Sequence, residues 1–124
     1  MPVDDNAVIT LGATTGPFAN LHASCSEWKN LFDLEVYCRA AKFHLSGLQG
    51  SYGQQALTIY RMRPEMGPPD AERIEYAAED TSWVHEWEAI AAGVASREVI
   101  SGDLAAALYC HRVADIAYGD VDWR

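Results

Sequence analysis

Any chemistry in this 124-residue chain has to come from four histidines, three cysteines and eighteen carboxylates, set against nine lysines and arginines. The histidines fit poorly to metal work. Di-iron bundles place Glu-x-x-His on facing helices, yet the residues three before His22, His44, His85 and His111 are Ala19, Ala41, Ser82 and Leu108. His85-Glu86-Trp87-Glu88-Ala89 begins like a zinc-protease motif and ends in Ala89 where a second His is needed. His22 with Cys25, and Cys110 with His111, supply ligand types but no Cys-x-x-Cys knuckle. No metal is therefore assigned.

The thiols are equally unpromising as nucleophiles. Cys38 and Cys110 fall on apolar helical stripes, where cysteine acts as a small hydrophobe. Cys25, at an expected helix start, is the one thiol a helix dipole would activate. Gln49-Gly50-Ser51-Tyr52-Gly53 misses the Gly-x-Ser-x-Gly elbow because Gln49 stands where glycine is required. Residues 7–18 lack the full Gly-x-Gly-x-x-Gly of a dinucleotide turn, and no phosphate loop occurs. No catalytic residue and no cofactor is expected.

What remains is charge. Residues 1–64 hold five acids and five bases, whereas residues 65–124 hold thirteen acids and four bases, so the whole net charge of −9 lies in the second half. Glu72, Glu75 and Glu79 share an arc of about 60° if residues 70–79 are helical. Asp80, Glu86 and Glu88 extend that patch, and Trp123 beside Asp120 and Asp122 offers an aromatic anchor. Such a surface steers basic proteins and repels nucleic acid and anionic membranes. A solvated face that only keeps the chain soluble is the plainer reading of the same residues.

The elements that must position these groups read as mainly α. With 49 % hydrophobic residues the chain can form a core, and nineteen alanines favour helix. Ser24-Cys25-Ser26-Glu27 fits a capping box, which predicts a first helix from Ser24 to about Leu45. That helix would carry two apolar arcs, Leu31, Leu34, Cys38, Ala41 and Leu45 on one and Phe32, Val36 and Phe43 on the other. Gly47–Gly53 and Pro64–Pro69 read as loops.

Between residues 70 and 95 the apolar phase turns by about half a helical revolution, which predicts separate helices over 70–79 and 82–95. Trp83, Trp87, Ile90 and Val94 then form a core stripe on the second. The last helix follows Ser101-Gly102-Asp103 and stops at Gly119, burying Ala106, Tyr109, Cys110, Val113, Ile116 and Ala117. The expected fold is thus a single-domain bundle of four to five helices over 1–124, with 1–21 an irregular or extended arm. Residues 7–11 and 56–62 are β-branched enough to form a short two-stranded β element as the alternative.

The N-terminus is acidic where a secretory signal is basic, no run of residues suits a membrane span, and three cysteines are an odd number. A cytoplasmic location follows. The leading expectation is a small acidic inhibitor or protein-binding protein. Its carboxylates would dock on the basic groove of a nuclease or RNA-guided effector, as anti-restriction, anti-CRISPR and immunity proteins do. The alternatives are a ligand-binding protein or enzyme with a bundle pocket using His44, His85, His111, Tyr109 or Cys25, and a homo-oligomeric subunit such as a homodimer.

Overall fold

The computed structural model describes residues 4–76, 79–98 and 102–119. They form strands β1 (Asn6–Gly12), β2 (Phe18–Ser24), β3 (Asp33–Tyr37), β4 (Ala41–Ser46), β5 (Ala56–Arg61) and β6 (Asp70–Glu75), then helices α1 (Ser82–Ser96) and α2 (Leu104–Tyr118). These group into two compact units. Among the described residues, one holds residues 24–76 with 79–80, and the other holds residues 4–23, 81–98 and 102–119.

The first unit is an antiparallel meander in the order β3-β4-β5-β6. Its register places Leu34, Leu45, Leu57 and Ile74 in one row, and Val36, Phe43, Ile59 and Glu72 in the next. Directly paired residues point to the same side, so these rows make one face of the sheet largely apolar. The opposite face carries Asp33, Ser46, Ala56 and Glu75, then Glu35, His44, Thr58 and Arg73, then Tyr37, Lys42, Tyr60 and Ala71. Ala56 and Thr58 are buried, being short side chains on a central strand between longer neighbours.

The connections follow their sequence signals. Gly47 takes φ 71°, and its N–H donates to Phe32 O at 3.0 Å. A Cβ at Gly47 would lie 2.4 Å from Gln54 O, so only glycine fits. Asn30 Nδ2 donates to Ser51 Oγ at 2.7 Å, which makes Ser51 a loop tie. The proline-rich loop between β5 and β6 is closed at its mouth by Arg63, whose Nε donates to Asp70 Oδ1 at 2.9 Å.

In the second unit β1 and β2 pair as a hairpin, with Thr10 Oγ1 donating to Asn20 Oδ1 at 2.9 Å. The segment read as an irregular or extended arm over 1–21 thus contains β1 and the first part of β2. Helix α2 is capped by Asp103, which accepts from Ala106 N–H at 2.9 Å, and by Gly119 at φ 71°. Neither helix contains a buried residue.

The structure overturns the expected mainly α bundle: the described residues hold six strands and two helices. The helix expected from Ser24 to Leu45 is the end of β2, then β3 and β4. Its two apolar arcs were the trace of period-two alternation, since Leu34 and Val36 share a strand face but lie about 200° apart on a helix. The capping-box serine instead closes a turn, its Oγ accepting from Ser26 N–H at 3.1 Å.

The helix expected over 70–79 is β6. The phase change near residue 80 was real, but it marks a strand giving way to a helix. Residues 7–11 and 56–62 do contain strands, yet β1 pairs with β2 and β5 pairs with β4 and β6, so the two do not form one two-stranded element. The helices expected over 82–95 and after Asp103 are present as α1 and α2.

Candidate functional site

The polar face of the sheet gathers its chemistry around Lys42. Cross-strand pairing sets Lys42 between Tyr37 on β3 and Tyr60 on β5. Its Nζ lies 5.0 Å from the Tyr37 ring centroid and 5.7 Å from that of Tyr60, within cation–π range. Lys42 Nζ also donates to Glu35, and the Tyr37 hydroxyl donates to the same carboxylate.

The hydrogen bond from Lys42, followed by that from Tyr37, holds Glu35 below its ordinary pKa. The Glu35 carboxylate in turn raises Lys42 above its ordinary value. The ammonium therefore keeps its charge to a higher pH than an ordinary lysine. A pocket of about 350 Å³ opens over this row, with Tyr37, Cys38, Tyr60, Met62 and Pro69 around Lys42. Beside it, His44 Nε2 donates to Asp33 Oδ1 at 2.6 Å.

A second feature lies on α1. Trp83, Trp87, Ile90 and Val94 fall within an arc of about 60° at helical spacing. Trp83 is 71 % exposed, Trp87 68 % and Val94 76 %, so the expectation of a core stripe is corrected. On α2 the expected buried stripe is open as well, with Tyr109, Cys110 and Ile116 exposed.

The carboxylates expected to share one patch are divided among three elements. Glu72 and Glu75 stand on opposite faces of β6, because three residues along a strand reverse the side-chain direction. Arg61 Nη1 donates to Glu72 at 2.7 Å, while Glu75 accepts from Arg73 Nε at 3.1 Å and from Gln54 Nε2 at 3.4 Å. Glu79 and Asp80 are exposed between β6 and α1, and Glu86 and Glu88 are exposed on α1. Trp123 lies outside the described residues.

His85 sits on α1, Tyr109 and His111 on α2, His44 on β4 and Cys25 just after β2. Among the described residues no three histidine, cysteine or carboxylate side chains converge to hold a metal. The Tyr37–Lys42–Tyr60 row was missed because helical phasing scatters it. Strand alternation in Glu35-Val36-Tyr37, Lys42-Phe43-His44 and Thr58-Ile59-Tyr60 was the signal that would have found it.

No helix among the described residues is long and apolar enough to cross a membrane. Comparison with protein-family models, with characterised proteins and with solved structures finds no match to this chain.

Proposed function

We propose that this protein is a binding module that lays helix α1 into an apolar, basic-rimmed groove of a partner protein. The observation that carries this reading is the exposed stripe of Trp83, Trp87 and Val94 on a helix with no buried residue. Apolar residues at i, i+4, i+7 and i+11 suit helix-in-groove recognition, and here Ile90 at i+7 is half-buried while the other three are exposed; tryptophan is a frequent anchor at interfaces. Glu86 flanks the stripe and Glu88 lies further round the same helix. The described residues of this unit hold seven carboxylates against two arginines, so a groove rimmed by Lys and Arg matches in charge.

A groove that takes single-stranded nucleic acid in a nuclease or RNA-guided effector, with aromatic platforms among Lys and Arg, has that character, and an inhibitor or immunity role is the specific form of the proposal. A reducing cytoplasm is the matching compartment, since Cys25, Cys38 and Cys110 are free and exposed. Affinity capture with the whole chain, at low and high salt, tests the reading. Trp83→Ala with Trp87→Ala should abolish capture, and Glu86→Lys with Glu88→Lys should remove its salt dependence. A partner still held by the tryptophan double variant overturns the proposal.

A second reading, self-association, is favoured by the open apolar face of the sheet, where Leu34 is 49 % exposed and Val36 45 %. Light scattering decides it: a dimer dissociated by Val36→Lys supports self-association, and a monomer excludes it.

A further inference from the structure

The pocket over Lys42 combines three properties that narrow its ligand. Its walls are two tyrosine rings, a methionine and a proline, so it favours flat apolar matter. Aromatic walls of this kind ordinarily attract cations through the negative faces of their rings. Here that place is already taken by Lys42, whose Nζ stands 5.0 Å and 5.7 Å from the two ring centroids. A second cation finds these ring faces occupied, and Lys42, the one charged side chain among the lining residues, can offer an anion a donor that its pairing with Glu35 leaves over.

The ammonium carries three donors, and its partners Glu35 and Tyr37 still leave one for a ligand. A small hydrated oxyanion such as inorganic phosphate gains little from apolar walls and is better served by arginine. The volume of about 350 Å³ stands at the lower end of small-molecule pockets and suits one or two fused rings better than a nucleotide cofactor.

We propose that this pocket binds a small aromatic carboxylate, its ring against Tyr37, Tyr60 and Met62 and its carboxylate on the Lys42 ammonium. Glu35 and the ligand then compete for the same cation. Removing the Glu35 charge strengthens binding, an outcome that a merely structural ion pair would not give. The site lies wholly within the four-stranded unit and does not depend on the α1 docking proposal.

The test is an NMR titration of the whole chain with 2-naphthoate and, separately, with 2-naphthylmethylammonium, following the Lys42 ε-methylene and the Tyr37 and Tyr60 rings. Saturable shifts are expected with the carboxylate and none with the ammonium. Lys42→Met, which keeps the stem and removes the charge, should weaken binding about tenfold or more, as loss of a charge-assisted hydrogen bond implies. Glu35→Gln should tighten it several-fold. The proposal is overturned if 2-naphthoate gives no saturation of these signals up to about 5 mM. Equal binding of the ammonium probe overturns it as well, and so does a Glu35→Gln protein that binds no more tightly than the parent. The comparison of the two probes is made on the unaltered chain, so a variant that fails to fold does not remove the test.

Discussion

His44 Nε2 meets Asp33 Oδ1 at 2.6 Å although the two residues are not directly paired: Asp33 faces Ser46, and His44 faces Glu35. The contact is a diagonal one, within reach because both residues project from the same side of adjacent strands. The Asp33 carboxylate is more than half exposed, so solvent screens the pair. Asp33→Asn should lower unfolding free energy by no more than about 0.5 kcal/mol. Urea denaturation of both proteins at low salt measures the difference, and a loss several times larger would mean that the pair carries more than a surface contact.

Gly47 is the position where backbone geometry admits only one residue. Its φ of 71° and the 2.4 Å that would separate a Cβ from Gln54 O act together. Gly47→Ala should therefore cost about 2 kcal/mol or more. Gly50 also has positive φ, at 56°, but open space where a Cβ would go, so Gly50→Ala should cost only about 1 kcal/mol. Chemical denaturation of the two variants separates strain from collision.

The Glu35–Lys42 contact makes stability depend on pH at both ends of the scale. Glu35 titrates below its ordinary 4.5, so its contribution is present above that value and is lost as pH falls through the depressed one. Lys42 titrates above its ordinary 10.5, so its contribution is present below that value and is lost as pH rises through the raised one. Glu35→Gln should flatten the acid end of a Tm-against-pH curve, and an unchanged curve would remove Glu35 from the account.

Asp103 caps α2 by accepting from the Ala106 amide at 2.9 Å. Asp103→Ala leaves that amide without its side-chain partner and should destabilise by about 1 kcal/mol, while Asp103→Ser should recover most of the loss. Thermal unfolding followed by circular dichroism reports both.

Trp87 offers the plainest check on the exposed helix. At 68 % exposure, Trp87→Ala should change unfolding free energy by less than about 0.5 kcal/mol, whereas emptying a core tryptophan site costs about 3–5 kcal/mol. A loss in the larger range would place the side chain in a core and end its use as a docking anchor.

The sequence by itself determined the punctuation and the C-terminal helices. Gly47, the proline run, Asp103 and Gly119 act through φ, a missing donor or a local cap, and such effects need no distant partner. It also determined the charge division, which is a matter of counting.

It did not determine whether residues 24–45 and 70–79 were helix or strand. Leu34 with Leu45, and Val36 with Phe43, make two opposite helical arcs, whereas all four share one strand face, and only the pairing of β3 with β4 and of β4 with β5 selects the strand. The same pairing decided the site. Glu72 and Glu75 left a shared helical arc for opposite faces of β6, while Tyr37, Lys42 and Tyr60, up to twenty-three residues apart in the chain, became neighbours in one row. A ladder register joins residues by hydrogen bonds between distant backbones, and one chain read in isolation carries no record of which strand lies beside which.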